Sequence, residues 1–292
     1  MFTIDAACCA HTLCELAEGP VWDRERGELL WLDIKGSRVW RLDGSGKPQV
    51  LCEMAQNIGC MALREAGGMI LGLAAGIYLS GPAGEFERLE VPGLSPRVRF
   101  NDGKCDAEGR FWAGTINLFP GETGISQLYC VLPDRRVCRV LESVTNSNGL
   151  AFSADGRTLY YIDTPTRRVD AFDIRTAEDG TPTLANRRTV VRIEEDDVWP
   201  DGMTIDAEGR LWIALWGAGK VGCYDPATGA PLGEVRVPVR AVSSCCFGGD
   251  DMRTLYITTA REGMLPGEAD LAGNVYCARL PVPGTASHRF KG

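Results

Sequence analysis

One phrase, repeated along the chain, limits the fold more than any other feature of the sequence. It consists of a small polar start, a short apolar run, a turn ending in Gly, and then an aromatic strand. It reads Glu18-Gly-Pro-Val-Trp-Asp-Arg-Glu-Arg-Gly-Glu-Leu-Leu-Trp31 and then Asn101-Asp-Gly-Lys-Cys-Asp-Ala-Glu-Gly-Arg-Phe-Trp112. It returns as Asn148-Gly-Leu-Ala-Phe-Ser-Ala-Asp-Gly-Arg-Thr-Leu-Tyr160 and Asp201-Gly-Met-Thr-Ile-Asp-Ala-Glu-Gly-Arg-Leu-Trp212, with weaker copies from Asn57 and from Cys246. The turn positions Gly27, Gly67, Gly109, Gly156, Gly209 and Arg253 are separated by 40, 42, 47, 53 and 44 residues. A period of this size, with several short strands per unit, is what the blade of a β-propeller requires. Six copies predict an all-β, six-bladed β-propeller.

The Asp-Gly and Glu-Gly pairs supply the positive φ of a tight hairpin turn. The runs after them (29–34, 111–115, 159–163, 211–215 and 255–259) carry the β-branched and aromatic residues expected of packed strands. Trp22, Trp31, Trp112 and Trp212 keep the same phase and read as core. The phrase continues across the midpoint of the chain, so residues 1–292 read as one domain without a linker. A strand-like segment at 274–280 remains after the last copy, and the N- and C-terminal segments are expected to pair within one blade. A chain with 35 Gly and 16 Pro turns often and suits neither a helical bundle nor a coiled coil.

A net charge of −8 and a pI near 5.0 provide no electrostatic footprint for nucleic acid or for an anionic membrane. No stretch has the apolar length to span a bilayer, and Met1-Phe-Thr-Ile-Asp5 lacks the basic and apolar regions of a signal peptide. The 12 cysteines include no CxxC and read as reduced, buried thiols. A cytoplasmic location and a monomer or weak oligomer are expected.

Only two histidines are present, His11 and His288, each near an end. No GxSxG occurs either, so Ser-His or Cys-His catalysis has no candidate. Hydrolytic chemistry, if present, must come from carboxylates, amides and Arg, with or without an oxygen-ligated metal. Counting back from the turns, Asp201, Asn148 and Asn101 each lie eight residues before their Gly, Glu18 nine and Asn57 ten. Equivalent positions in a propeller occupy equivalent places around its axis. Glu18, Asn57, Asn101 with Asp102, Asn148 and Asp201 are therefore expected at one mouth of the central channel. Carboxylate and amide oxygens gathered there are hard ligands for Ca²⁺, Mg²⁺ or Mn²⁺, and carboxylates also accept Zn²⁺. A lone Asx-Gly is better read as a turn, whereas this set at matching phase favours a site. Arg99 fits either a salt bridge to Asp102 or a role in holding substrate. Asp33 and Asp163 end strands at matching positions and read as structural.

Taken together, Glu18-Gly-Pro-Val-Trp22, Arg99-Phe-Asn-Asp-Gly-Lys104, Ser147-Asn-Gly-Leu-Ala151, Pro200-Asp-Gly-Met203, Ser244-Cys-Cys-Phe-Gly-Gly249 and Thr259-Ala-Arg261 resemble the senescence marker protein (regucalcin)/gluconolactonase family. The resemblance implies a lactonase that opens a sugar-acid lactone such as glucono-, xylono-, arabinono- or galactonolactone. It implies one divalent cation (Ca²⁺, Zn²⁺, Mn²⁺, Mg²⁺ or Fe²⁺) held by Glu18, Asn148 and Asp201, with Asp201 also the general base. Arg99 and Asn101 match the family's substrate-binding pair, and Asp102 and Asn57 are expected to orient these groups. Where animal members place a substrate-contacting Glu, this chain has Phe119; nearby Asn117 or Glu122 could stand in. The segment from Asn117 to Gln127 reads as a lid or as a long loop. The rival readings are a non-catalytic calcium-binding regulator, a propeller scaffold and a paraoxonase-like esterase.

Overall fold

The computed structural model describes residues 1–81, 84–119 and 121–292. Its chain forms six sheets of four or five strands, a six-bladed β-propeller, with no α-helix among the described residues. The first four sheets use consecutive strands and begin with Ala17–Asp23, Ile58–Leu63, Val98–Cys105 and Ser147–Phe152. The fifth begins with Trp199–Ile205 and the sixth with Val242–Gly248. In every sheet the strand just named and the next two in the chain run antiparallel.

The repeated turns form as their residues dictate. Gly109, Gly156 and Gly209 adopt φ of 79°, 69° and 82°, and each donates its N–H to the carbonyl three residues earlier. In the sixth sheet the positive φ (57°) falls on Met252, one residue before the predicted Arg253. Asp251-Met-Arg-Thr-Leu-Tyr256 aligns with Asp155-Gly-Arg-Thr-Leu-Tyr160, so a side chain occupies the place of the missing Gly. Asp33 and Asp163 have the structural role read from the sequence. Asp33 accepts from the N–H groups of Leu16 and Gly36, and Asp163 from those of Thr145 and Asn146.

The chain divides into two compact units, residues 1–57 with 190–286, and residues 58–189 with 287–292. In the first, Trp212, Phe247, Leu255 and Tyr276 form a buried core, with Trp31 in a second cluster. Trp22 is half-buried and stacks on Tyr256 at 5.6 Å between ring centroids. In the second unit one cluster centres on Phe100, Phe111, Tyr129 and Phe290, another on Trp112, Leu150 and Tyr161. Burying a side chain of this size contributes about 1.5–3 kcal/mol, which is why the aromatic positions keep the repeat's phase.

The chain ends meet in the sixth sheet as expected. Ala7–Ala10 pairs antiparallel with Val275–Arg279. Phe2–Asp5, which the repeat did not anticipate, adds a parallel strand to the fifth sheet along Pro231–Arg236. All twelve cysteines are free thiols; most are buried, but Cys8 is exposed, which departs from the sequence expectation. The single domain expected from the repeat predicts one cooperative thermal transition by calorimetry, with van't Hoff and calorimetric enthalpies equal. Two resolved transitions, one for each unit, would divide the chain instead.

Candidate active site

Each first strand carries a bulge at the same phase of the repeat. The ladder register shifts between Glu18 and Val21, Ile58 and Cys60, Phe100 and Gly103, Asn148 and Leu150, Pro200 and Met203, and Val242 and Ser244. A bulge takes one or two residues out of regular pairing and re-aims their side chains, a device common beside active sites. Glu18, Asn101 with Asp102, Asn148 and Asp201 all lie at these bulges. Glu18 keeps phase although it lies nine residues before its turn, because that turn is one residue longer: Gly27 donates to the Asp23 carbonyl four residues back.

Asn57 lies off this phase. The bulge of its sheet falls on Gly59, eight residues before Gly67, and a Cβ there would stand 1.9 Å from the Phe100 carbonyl oxygen. The Asn57 amide donates instead to the Ile34 carbonyl at 2.9 Å and so ties down the start of its strand. Gly202, beside Asp201, is similarly constrained, since a Cβ would lie 2.1 Å from Ser244 Oγ.

In the first unit Glu18 is buried, and its Oε2 accepts from the Gly19 N–H at 2.8 Å. Asp201 is half-buried on the bulge of the fifth sheet. The second unit brings Arg99, Asn101 and Asn148 into one hydrogen-bonded chain. Arg99 Nη1 donates to Asn101 Oδ1 at 2.8 Å and to the Phe100 carbonyl at 2.9 Å. Asn101 Nδ2 lies 2.9 Å from Asn148 Oδ1, and Asn148 Nδ2 donates to Thr164 Oγ1 at 2.8 Å. Asp102 is buried and accepts from the Gly103 N–H at 2.7 Å. Burial raises its carboxyl above the usual range, against the pull of Lys104 and of that N–H.

Phe119 is half exposed, with the Arg97 guanidinium 5.1 Å from its ring centroid. Asn117 and Glu122 brace this loop: the Asn117 amide bonds the backbone of Phe119 and Glu122, and Glu122 pairs with Arg97. Residue 120 of the segment read as a lid or long loop lies outside the described residues. Both histidines are exposed. Among the described residues no three His, Cys, Asp or Glu side chains gather as metal ligands. Glu18, Asn148 and Asp201, the ligands expected from the sequence, offer carboxylate and amide oxygens. Two carboxylates and one amide are a hard, oxygen-only donor set that fits a divalent cation of the Ca²⁺, Mg²⁺ or Mn²⁺ type.

Sequence reasoning missed an ionic module, built on a buried carboxylate, that occurs twice. Asp106 Oδ2 accepts from Arg110 Nε at 2.6 Å and from Trp112 Nε1 at 2.7 Å, while its Oδ1 accepts from the Glu108 and Arg110 N–H groups. Asp206 binds Arg210, Trp212 and Glu208 in the same way. The signal was present as Asp-Ala-Glu-Gly-Arg-x-Trp, spelled out in both sheets.

The six four- or five-stranded sheets form a β-propeller, and four of them carry an acid or amide side chain at the shared bulge. The SMP-30/Gluconolactonase/LRE-like region model matches residues 16–261, and the chain belongs to that gluconolactonase-like family. The chain is 39% identical over 306 residues to regucalcin of Xenopus laevis, covering 100% of each protein. It is 34% identical to the YvrE protein of Bacillus subtilis (strain 168), whose name carries a sugar lactone lactonase assignment, covering 99% of each. Among solved structures, a calcium-binding protein, regucalcin, from Agrobacterium tumefaciens str. C58 superimposes with a TM-score of 0.89 at 27% identity, over 99% of this chain and 98% of the other.

Proposed function

We infer that this protein hydrolyses the ring ester of a sugar-acid lactone, and that it does so with one divalent cation held by Glu18, Asn148 and Asp201. The observation that carries this reading is the common bulge, which gives these three oxygen donors the same repeat phase. The family membership and the name of the Bacillus relative support a lactone substrate. A bound divalent cation supplies Lewis-acid polarisation of a carbonyl and acidifies nearby water. Asp201 takes the proton from the attacking water, a role open to a carboxylate in a protein whose histidines are both exposed. Arg99 and Asn101 hold sugar hydroxyls or the developing oxyanion. The half-exposed Phe119, braced by Arg97, faces solvent with an apolar ring where a hydroxyl-binding carboxylate would otherwise stand.

A calcium-binding role without catalysis is the second reading, favoured by the description of the Agrobacterium structure. Arg99 argues against it, because a guanidinium within the donor cluster opposes cation binding and serves a pure calcium binder poorly. The test is a lactone-hydrolysis screen on chelated protein re-supplied with one metal at a time, read against an enzyme-free blank. Metal-restored hydrolysis of an aldonolactone is expected, together with loss of bound divalent metal in Glu18→Gln and Asn148→Ala. Tight Ca²⁺ binding with no lactone turned over under any metal would favour the second reading. Unchanged metal content in both variants would remove the assigned ligands.

A further inference from the structure

An asparagine can offer either its oxygen or its NH₂ group, and a cation ligand must offer the oxygen. The second unit contains a device that makes this choice for Asn148. A guanidinium only donates, and a backbone carbonyl only accepts. Arg99 Nη1 lies 2.8 Å from one end of the Asn101 amide, and the Ser147 carbonyl oxygen lies 2.9 Å from the other. Two partners of fixed polarity therefore hold Asn101 one way round, with its oxygen toward Arg99 and its NH₂ toward Ser147 and Asn148.

That NH₂ lies 2.9 Å from the Asn148 amide and 3.2 Å from Asn146 Oδ1, and it needs acceptors there. With the Asn148 amide reversed, NH₂ would face NH₂ in a residue only 4% exposed. Thr164, 2.8 Å away on the far side of Asn148, imposes no such choice, because a hydroxyl both donates and accepts. The polarity is set at the Arg99 end and passed along the chain. An amide oxygen has two lone pairs, so Asn148 Oδ1 can accept from Asn101 and still serve as a ligand.

We propose that Asn101, itself oriented by Arg99 and the Ser147 carbonyl, is the positioning residue that fixes the Asn148 amide with its oxygen, not its NH₂, on the side of Asn101, where the second lone pair can bind a cation. This rests on the reading of Asn148 as a ligand given above, and it makes Arg99 and Asn101 determinants of metal affinity as well as of substrate binding.

The test is calorimetric titration of the chelated full-length protein with Mn²⁺ alone and with Ca²⁺ alone. Asn101→Asp replaces the NH₂ by an acceptor and should reverse Asn148. It is expected to weaken binding about tenfold, the scale of one buried donor left without an acceptor, although it adds negative charge. Asn101→Ala removes the constraint without reversing it and should weaken binding less. In an Asn148→Asp background a carboxylate offers oxygen either way round, so neither substitution at 101 should weaken binding further. Thermal melts of each variant identify any that fail to fold, and Asn101→Ala carries the test if Asn101→Asp is among them. Binding in Asn101→Asp as tight as in the wild type, or equal weakening by either substitution in both backgrounds, overturns the orienting role alone. A wild-type protein that takes up neither cation overturns the ligand assignment beneath it.

Discussion

Asp201→Asn is expected to lower kcat for lactone hydrolysis by about 10²–10⁴, the range for removing a general base. The substitution keeps the side-chain shape and one oxygen donor on the bulge between Pro200 and Met203, but an amide cannot accept water's proton. Arg99→Ala should behave differently. It raises KM if the guanidinium holds the ground state and lowers kcat if it holds the oxyanion. The measurement is steady-state hydrolysis of metal-loaded protein, corrected for spontaneous opening of the lactone. A wild-type kcat in Asp201→Asn would move the base assignment to Glu18 or Asp102.

The largest effect on stability is expected at Asp106. Its carboxylate is 2% exposed and receives four hydrogen bonds, two of them from an Arg110 that is itself 3% exposed. Asp106→Ala leaves the buried Arg110 Nε and the Trp112 indole N–H without their acceptor, while Glu108 keeps its ion pair with Arg110 Nη1 at 3.0 Å. Breaking one half of such a pair costs about 3–5 kcal/mol, far more than the net worth of the intact pair. Urea unfolding should show this as a lower midpoint at unchanged slope. A loss below about 1 kcal/mol, the level of an ordinary surface pair, would mean that the module is solvated or replaceable. The exposed pair of Arg38 with Glu53 serves as a control whose loss should pass unnoticed in the same assay.

The blades were legible in the sequence because one period carries both the turn residues and the buried aromatics, and Trp112 and Trp212 are fully buried where that period placed them. Phase was less secure wherever a copy was weak. Asn57 looked like a member of the donor set because its polar side chain starts the phrase, yet the bulge of that sheet falls on Gly59. The sixth turn was set one residue late because Met252 takes a conformation usually left to Gly. The bulges have no signature apart from the residues they carry. The amide chain from Arg99 to Thr164 joins residues up to 65 positions apart, which only the folded sheets bring together. The braces on the loop at Phe119 were invisible because Asn117 bonds mostly to backbone.

The sixth sheet has a consequence for how a nascent chain completes itself. Val275–Arg279 is a middle strand, set between Ala7–Ala10 on one side and Thr254–Thr259 on the other. On the ribosome it emerges after both of its neighbours. Phe2–Asp5 can already be paired along Pro231–Arg236 by then, with the Ala6 N–H on the Arg236 carbonyl, which holds Ala7–Ala10 beside the unfinished sheet. Val275–Arg279 thus slides into a slot whose two walls are waiting. Until it arrives, two strand edges stand open to mispairing with other chains.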